Sequence, residues 1–244
     1  MKKIVAIIQA RMGSTRLPGK VLLDIGGEPM LVRDMHRVGQ SKRIHLCVVA
    51  TSNSPVDDPI ISLCKQYGWN YFRGDEQDVL DRFYKAALAF KADIIVRITS
   101  DCPLIEAEII DRVIDDFIKK FPEIDYSSNV LPVRTFPRGL DTEVISIQTL
   151  ERLWNEDTNP QWREHVTQYI HQNPEKFRIH CTLNDVDCSS LRWTVDTAED
   201  LEFVNKIYKQ FNDDRFSWHD VLLVLKKHPE FLEINRHIQQ KVVR

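Results

Sequence analysis

Short apolar runs rich in β-branched residues recur along the chain and predict buried strands. Runs of strand length lie at residues 4–8, 46–51 and 94–99, and they are apolar except for Thr51, Arg97 and Thr99. A largely apolar run of this length is typical of a strand that is covered on both faces, as in a parallel sheet. We therefore predict three buried parallel strands in the first hundred residues.

Apolar positions also repeat at intervals of three and four residues between and after these runs, which indicates amphipathic helices. Helices are predicted over 79–90, 109–117, 161–171 and 198–211. Two weaker strands are predicted over 143–147 and 177–182. This alternation of strands and helices predicts an α/β fold, a three-layer α/β/α sandwich around a mostly parallel, Rossmann-like sheet.

The length of 244 residues suits one sizeable core with a small appendage. Residues 1–211 are predicted to form the main domain. Residues 212–244 are predicted to form a helical C-terminal extension of that domain, with two short helices around His228 and Pro229.

The charge balance and hydropathy argue against two classes of partner. The formal net charge is −3, whereas a general nucleic-acid or membrane-surface binder needs a strong basic excess. No apolar run reaches the length of a transmembrane helix, and the run at 4–8 is too short for a signal peptide. The five cysteines show no C-x-x-C spacing, so reduced thiols in a cytoplasmic protein are expected. We expect small-molecule partners, without nucleic acid or membrane.

The segment ARMGSTRLPGK at residues 10–20 follows the first strand and is unsuited to a core. It contains three cations, two hydroxyl side chains and two glycines. Glycine allows backbone N–H groups to approach phosphate oxygens, while Arg and Lys neutralise the phosphate charge. The predicted polyphosphate-binding residues are Ala10, Arg11, Gly13, Ser14, Thr15, Arg16 and Lys20. A solvated basic turn is the alternative interpretation.

This loop matches neither of the two common phosphate-binding motifs. Five residues separate Gly13 from Gly19, and Val21 follows Lys20 where a Walker P-loop requires Ser or Thr. The G-x-G-x-x-G fingerprint of dinucleotide-binding proteins is absent from the loop.

Two carboxylates are predicted at the same edge of the sheet as the loop. Asp101 follows the strand at 94–99, and Asp196 follows a short apolar stretch. In open α/β sheets, ligands bind outside the carboxyl ends of the strands. Each aspartate alone suits a helix cap, with Asp196 or Thr197 as the cap of the helix over 198–211. Together with a polyphosphate loop they favour a Mg²⁺ site, because Mg²⁺ takes one or two carboxylates along with waters and substrate phosphates.

Three further charged or titratable positions each allow two interpretations. Asp78 is expected to cap a helix, and the alternative is that Asp78 or Arg82 faces the nucleotide. Arg138 lies in a Pro-Arg-Gly turn, where its guanidinium suits a carboxylate or a phosphate; a surface turn is the alternative. His165 is interpreted as a packed or surface residue rather than a base, and the general base stays unassigned.

Seven segments give a resemblance that covers most of the chain. They run in order from residue 4 to about 211, and are VAIIQARMGSTRLPGKVL, VVATS, FRGDEQDVLDRFYKAA, IIVRITSDCPLI, RTFPRGLDTEV, REHVTQYIHQNPEKFRI and LRWTVDTAEDLEFV. In these segments the chain resembles the spore coat polysaccharide biosynthesis protein F group. That group belongs to the acylneuraminate and 3-deoxy-manno-octulosonate (KDO) cytidylyltransferase superfamily.

The resemblance implies a fold of the nucleotide-diphospho-sugar transferase type, with a nucleotidyltransferase domain over 1–211. It implies transfer of a nucleoside monophosphate from CTP to a sugar acid or related anionic acceptor, with release of pyrophosphate, in surface polysaccharide biosynthesis. It also implies Mg²⁺ as the cofactor, with Asp101 and Asp196 as its ligands, and a homodimer as a candidate assembly.

The resemblance also groups the candidate site residues. The catalytic group is Arg11, Lys20 and Asp101. The nucleotide-binding group adds Asp78, Arg82 and Thr99 to the loop residues. The acceptor-binding group is Arg138, Asp141 and Glu143. Thr99 and Ser100 stand where the KDO enzymes carry Gln-Gly.

Two other functions stay open at this point. A nucleotide-sugar glycosyltransferase can share this architecture but usually carries a D-x-D motif, and here Asp101 is followed by Cys102 and Pro103. A non-catalytic nucleotide-binding protein would be expected to lose the metal carboxylates, and both are present. The pattern therefore favours a Mg²⁺-dependent nucleotidyltransferase.

Overall fold

The computed structural model describes residues 2–240, and a seven-stranded sheet runs through its centre. The strands are β1 (Ile4–Gln9), β2 (Asp24–Ile25), β3 (Glu28–Pro29), β4 (Leu46–Ser52), β5 (Asn70–Gly74), β6 (Ile94–Thr99), β7 (Tyr126–Ser128), β8 (Glu143–Ser146) and β9 (Ile179–Cys181). The α-helices are α1 (Met30–Val38), α2 (Asp58–Tyr67), α3 (Val79–Ala89), α4 (Ala107–Lys120), α5 (Ile147–Glu156), α6 (Pro160–Arg163), α7 (Gln168–Gln172), α8 (Ala198–Tyr208) and α9 (Trp218–Lys227). β2 pairs with β3, and the other strands lie in the order β5-β4-β1-β6-β8-β7-β9.

The sheet is mostly parallel, as the apolar runs predict. β1 pairs in parallel with β4 and β6, and β4 pairs in parallel with β5. β8 is antiparallel to both of its neighbours, β6 and β7, while β9 is parallel to β7. Every residue from Ile4 to Ile8 is at most 4% exposed, because helices cover both faces of the sheet. The predicted three-layer α/β/α sandwich is confirmed.

Alternate residues of β1 face two separate apolar cores, one on each side of the sheet. Ile4, Ala6 and Ile8 pack in one core with apolar residues of α1, α4 and α8. Val5 and Ile7 pack in the other with residues of α3 and α5. Side chains of a strand alternate between its two faces, so one short apolar strand contributes to both helical layers.

The predicted helix over 161–171 is wrong as a single element, because a turn separates α6 from α7. In this turn Val166 has a φ of 58° and is fully buried, a conformation that β-branched residues rarely adopt. The next residue, Thr167, donates a hydrogen bond from its hydroxyl to Glu143 of β8. Contacts with the sheet therefore override the helical pattern of this segment.

Two helix starts follow the local signals in the sequence. Thr197 caps α8, because its hydroxyl accepts a hydrogen bond from the Asp200 backbone N–H at 3.3 Å and the Asp200 carboxylate accepts one from the Thr197 N–H at 3.1 Å. Asp78 caps α3 by accepting a hydrogen bond from the Asp81 N–H at 2.9 Å. These contacts satisfy backbone donors that have no partner within the first helical turn.

The extension after residue 211 packs onto the main core. Trp218 and Val221 of α9 are buried among residues of that core. Arg37 of α1 is 2% exposed and donates hydrogen bonds to the backbone carbonyls of Asp214 at 2.9 Å and Phe216 at 3.2 Å. Residues 1 and 241–244 of the predicted ranges lie outside the described residues.

Within residues 2–240, no helix combines the length and the apolar character that crossing a membrane requires.

Candidate active site at the carboxyl edge of the sheet

Three segments that are distant in sequence meet at the carboxyl edge of the sheet. The loop after β1 leads away from Gln9, whose carbonyl accepts a hydrogen bond from the Ser100 N–H at 3.2 Å. The carbonyl of Asp101 accepts hydrogen bonds from the Val195 N–H at 2.8 Å and from the Thr194 hydroxyl at 3.1 Å. The predicted convergence of the loop, Asp101 and Asp196 is therefore observed.

The side chain of Lys20 joins the two predicted metal carboxylates. Its Nζ lies 2.9 Å from Asp101 Oδ2 and 3.0 Å from Asp196 Oδ1, and donates to the Val195 carbonyl at 2.8 Å. Burial by itself would lower the pKa of Lys20, but the charges of Asp101 and Asp196 outweigh it and raise that pKa. Burial would raise the pKa of Asp101, but the charge of Lys20 and the hydrogen bonds with Lys20, Thr99 and Cys102 together hold that pKa below its usual value. Lys20 is therefore a charged ammonium between two carboxylates.

A glycine sets the direction of Lys20. Gly19 has a φ of 67°, in the left-handed region that glycine adopts without a steric penalty. Its N–H donates to the Met12 carbonyl at 3.0 Å, which closes the loop back on itself. Residues 20–22 then form one short 3₁₀ turn, and Lys20 enters this turn with its side chain toward Asp101.

Asp196 holds a second set of cations on its other oxygen. Its Oδ2 lies 3.0 Å from Nη2 of Arg16 and 3.0 Å from Nη2 of Arg192. Arg192 in turn forms a bidentate contact with the fully buried Asp200, with both distances 2.8 Å. Asp196 is thus fixed from two sides, by the loop through Arg16 and by the start of α8 through Arg192.

The other loop residues present polar groups to solvent. Arg11, Gly13, Thr15 and Arg16 are exposed and Ser14 is half-buried. Arg11 forms a salt bridge with Glu164 at 2.7 Å. The structure therefore leaves this face of the loop open to a ligand, as a phosphate-binding role requires.

The buried Ala10 marks the point where the loop leaves β1. Its N–H donates to the Ala50 carbonyl of β4 at 3.1 Å. The following Met12 N–H donates to Asp57 Oδ1 at 2.7 Å. Asp57 is 2% exposed and also accepts hydrogen bonds from Thr51 and Ser52. Sequence reasoning did not single out Asp57, because an acid after a Pro-Val pair resembles an ordinary helix start.

The donor set at this edge fits Mg²⁺ that is bound together with a nucleotide. Asp101 and Asp196 already share one cation, the Lys20 ammonium. Within residues 2–240, no group of three or more His, Cys, Asp or Glu side chains forms a ready-made metal cage. Mg²⁺ typically uses only one or two carboxylates and takes its remaining ligands from waters and phosphates. Two carboxylates beside a candidate phosphate-binding loop meet that requirement.

Asp34 of α1 is a buried acid close to this cluster. It has no exposed surface, and burial, followed by the charge of Asp101, raises its pKa well above the usual value. Burial therefore favours the protonated form of Asp34. The signal in the sequence was an acid at an apolar position of the helical repeat that includes Met30, Leu31 and Val38.

Arg138 is half-buried near this cluster, and its guanidinium forms no salt bridge within residues 2–240. Its N–H donates to the Leu191 carbonyl at 2.9 Å, and its carbonyl accepts from the Trp193 N–H at 2.7 Å. Burial, followed by repulsion from Arg134, lowers the pKa of Arg138. An arginine in this state is suited to an anionic ligand.

The glycine after Arg138 allows the close backbone contact. Gly139 has a φ of 105°, and a Cβ at this position would lie 2.6 Å from the Thr194 backbone nitrogen. Only glycine avoids this clash. The predicted Pro-Arg-Gly turn is thus fixed against the segment that leads to Asp196.

The other two predicted acceptor residues already have partners. Asp141 pairs with Arg134, with Oδ2 2.7 Å from Nη2. Glu143 is 5% exposed, forms a salt bridge with Arg97 and accepts a hydrogen bond from the Tyr126 hydroxyl at 2.8 Å. Burial would raise the pKa of Glu143, but Arg97 holds it well below its usual range. Direct contact of Asp141 and Glu143 with an acceptor stays a prediction.

Of the remaining predicted nucleotide residues, Asp78 and Arg82 lie at the start of α3, and Thr99 is the last residue of β6. Arg82 is 1% exposed and donates from Nη1 to the Asp75 carbonyl at 2.8 Å. Burial lowers its pKa to about 10. Asp78 pairs with Arg163 at 2.9 Å, and the Thr99 hydroxyl lies 3.4 Å from Cys102 Sγ. Asp78 is thus a helix cap, and its contact with a nucleotide stays a prediction.

Comparison with known proteins finds similarity over most of the chain. A family model described as cytidylyltransferase matches residues 5–240. The spore coat polysaccharide biosynthesis protein SpsF of Bacillus subtilis is 34% identical, and the match covers 94% of this chain and 97% of that protein. A 3-deoxy-manno-octulosonate cytidylyltransferase of Chloroherpeton thalassium is 27% identical, and the match covers 84% of this chain and 97% of that protein.

A solved structure shows the same fold over the whole length. A cytidylyltransferase from Leptospira borgpetersenii is 37% identical and superposes with a TM-score of 0.92. The match covers 99% of this chain and 100% of that one. The C-terminal extension is therefore included in the shared fold.

Proposed function

The chain belongs to the cytidylyltransferase family, and from that premise we propose that it transfers CMP from CTP to a sugar acid with release of pyrophosphate. The observation that carries the proposal is the position of Lys20, Asp101 and Asp196 beside the open loop and Arg138. We propose a role in surface polysaccharide synthesis, which is supported by the name of the B. subtilis relative. A sugar-acid acceptor is supported by the name of the C. thalassium relative.

In this proposal the loop after β1 grips the triphosphate. Arg11, Arg16 and Lys20 carry the positive charge, and the hydroxyls of Ser14 and Thr15 supply further donors. Two of these cations now contact carboxylates of the site, and a third contacts Glu164. Phosphate oxygens compete for the same guanidinium and ammonium groups, so nucleotide binding draws them away from the carboxylates.

Movement of Lys20 toward the phosphates frees one oxygen of Asp101 and one of Asp196. These two residues would then hold Mg²⁺, with waters and phosphate oxygens as its other ligands. When bound, Mg²⁺ neutralises the charge that develops on the departing pyrophosphate. Lys20 and Arg16 stabilise the same charge from the loop side.

The acceptor is proposed to bind on the Arg138 side of the cluster. The guanidinium of Arg138 can bind a carboxylate through two hydrogen bonds. This contact would position an oxygen of the acceptor for attack on the α-phosphorus. A new P–O bond forms and the acceptor hydroxyl releases its proton to water. The bond between the α-phosphorus and the oxygen that bridges to the β-phosphate breaks, and pyrophosphate carries away the electron pair. Positioning and charge neutralisation supply most of the catalysis in such a step.

The proposal is tested by a pyrophosphate-release screen with the four NTPs, Mg²⁺ and a panel of sugar acids, sugar phosphates and polyol phosphates. We expect release with CTP and at least one sugar acid, and none when either substrate is omitted. Glycosyl transfer from a nucleotide sugar, without pyrophosphate release from any NTP, would favour the glycosyltransferase alternative. A homodimer stays a prediction. A cytoplasmic location also stays a prediction, and it is supported by the five cysteines, which are all free thiols.

A further inference from the structure

The C-terminal extension reaches the carboxylate side of the candidate site through Asn235. This residue follows the 3₁₀ turn at Pro229–Glu233 and is only 4% exposed. Its side-chain amide nitrogen donates to the backbone carbonyl of Arg192 at 3.0 Å and to Asp200 Oδ1 at 3.0 Å. The Asn235 amide therefore contacts both the main chain of Arg192 and the carboxylate of Asp200. The same carboxylate also binds the guanidinium of Arg192.

Arg192 and Asp200 pass this restraint to Asp196. Nη2 of Arg192 lies 3.0 Å from Asp196 Oδ2, so the guanidinium plane sets where that oxygen points. Asp200 Oδ2 accepts a hydrogen bond from the Asp196 N–H at 3.0 Å. Asp200 thus fixes the main chain of Asp196 directly and its side chain through Arg192. The guanidinium of Arg192 is planar and contacts both Asp200 and Asp196, so the Asp196 carboxylate has little rotational freedom.

The same stretch of main chain borders the acceptor side. Leu191 and Trp193, on either side of Arg192, exchange backbone hydrogen bonds with Arg138. A displacement of Arg192 would therefore be transmitted to Arg138 as well as to Asp196.

We infer that Asn235 is a positioning residue for Asp196, which makes the C-terminal extension part of the active site. This inference rests on the proposed function, in which Asp196 is a ligand of Mg²⁺. Partners that orient metal ligands typically contribute about ten- to a hundredfold to metal affinity. Asn235 acts through Arg192 and Asp200 rather than on Asp196 itself, so we expect an effect at the lower end, about tenfold.

The test is a titration of the full chain with Mn²⁺ at saturating CTP, followed by electron paramagnetic resonance. Asn235→Leu keeps the approximate size of the side chain and removes both donated hydrogen bonds. We expect Mn²⁺ to bind about tenfold more weakly to this variant than to the wild type, with CTP affinity in the absence of metal unchanged. Equal Mn²⁺ affinity in the two proteins overturns the inference.

Two control variants lie in the same extension. Arg236 is exposed and contacts Glu233, so Arg236→Ala should bind Mn²⁺ like the wild type. Leu232 packs on the apolar core, so Leu232→Ala should lower the melting temperature without altering Mn²⁺ affinity. If Leu232→Ala loses as much Mn²⁺ affinity as Asn235→Leu at a similar melting temperature, loosening of the extension explains both results and the inference is wrong.

A second variant covers the case in which Asn235→Leu does not fold. Gln240 accepts a hydrogen bond from Nη1 of Arg192 at 2.7 Å and lies at the surface, so Gln240→Ala can be made without disturbing the core. Gln240→Ala should also bind Mn²⁺ more weakly than the wild type, but by a smaller factor than Asn235→Leu. An unchanged Mn²⁺ affinity would count against the inference.

The proposed function fails in a different way. If the wild type binds no Mn²⁺ at this site even with CTP, the metal role of Asp196 is wrong, and the role of Asn235 is wrong with it. If the wild type binds Mn²⁺ and Asn235→Leu binds it equally well, only the inference about Asn235 is lost.

Discussion

Lys20 and Asp101 form a salt bridge at 2.9 Å although they are 81 positions apart in the sequence. The same ammonium lies 3.0 Å from Asp196, so one side chain occupies the place between the two carboxylates of the proposed metal site. In the proposed function, nucleotide binding and metal binding would be coupled through this ammonium group, because the phosphates and the carboxylates compete for it.

Replacement of Lys20 by alanine should weaken triphosphate binding far more than monophosphate binding. The ammonium is proposed to contact the distal phosphates, which CMP lacks. We expect CTP affinity to fall by about a hundredfold, the value of one strong charge-assisted contact, and CMP affinity to fall only slightly. Isothermal titration with both ligands measures the difference. Equal losses for CTP and CMP would show that Lys20 does not grip the distal phosphates.

The same variant should bind Mn²⁺ without a nucleotide. Removal of the ammonium leaves Asp101 and Asp196 facing each other without their shared cation, and a divalent ion can replace it. Wild-type protein should need CTP for tight Mn²⁺ binding, whereas Lys20→Ala should not. Electron paramagnetic resonance without nucleotide distinguishes the two. Similar weak binding by both proteins would mean that Lys20 does not block the site.

Asn in place of Asp101 should abolish turnover while the fold survives. The amide keeps the size of the side chain but removes the charge that holds a cation, and such changes typically cost about a thousandfold in rate. Asp115→Asn is the matched control, since that carboxylate is exposed and pairs with Arg43. Circular dichroism checks the fold, and pyrophosphate release checks turnover. Normal Mg²⁺-dependent activity in Asp101→Asn would remove Asp101 from the site.

The carboxyl edge of the sheet illustrates what the sequence can predict. Continuous apolar runs are local signals of strands buried on both faces, so β1 and β6 could be predicted, and with them the position of the loop and of Asp101. The direct contact of Lys20 with both carboxylates could not be predicted, because it depends on the path of residues 11–19 after the strand. Local patterns carry no information about such distances.

The break at Val166 and the contacts of Asn235 were missed for the same reason. The apolar repeat over 161–171 is helical in period, yet Thr167 bonds to Glu143 of the sheet and the helix breaks at Val166. Asn235 carries no signal at all in the sequence, since a lone amide between apolar and basic residues is ordinary. In both cases a tertiary partner decides the outcome.

Asp34 should make the stability of the protein fall as pH rises. Its folded-state pKa is raised well above the usual value by burial and by Asp101, so the folded state keeps a proton that the unfolded chain releases. Between the unfolded and folded pKa values, unfolding therefore becomes easier with increasing pH, by about 1.4 kcal/mol per pH unit for one proton. Asp34→Asn cannot ionise and should lack this slope.

Denaturant unfolding of the wild type and of Asp34→Asn from pH 4 to pH 8 measures the effect. The stability advantage of Asp34→Asn should grow with pH across this range. The matched control is Asp185→Asn, which alters an exposed carboxylate and should leave the slope of the wild type unchanged. Parallel curves for Asp34→Asn and the wild type would show that Asp34 does not take up a proton on folding.

The surroundings of Arg138 support the proposal that this residue binds the acceptor. Its main chain is fixed on both sides by Leu191 and Trp193, and Gly139 allows that contact. Its guanidinium forms no salt bridge within the described part of the chain, although burial and Arg134 lower its pKa. A half-buried cation of this kind is stabilised when an anion binds.

Arg138→Ala should therefore affect the acceptor and leave the nucleotide unaffected. Loss of one bidentate contact should cost about 2–3 kcal/mol, or roughly a hundredfold in kcat/KM for the acceptor. Arg138→Lys keeps the positive charge but loses the bidentate geometry of the guanidinium. Its kcat/KM for the acceptor should therefore lie between those of the wild type and Arg138→Ala. Arg215→Ala, which removes a surface arginine that is 82% exposed, should behave like the wild type. Steady-state kinetics with CTP and acceptor varied in turn decide the question: if the acceptor parameters stay at wild-type values, or if only those for CTP change, Arg138 is a structural turn residue and the acceptor binds elsewhere.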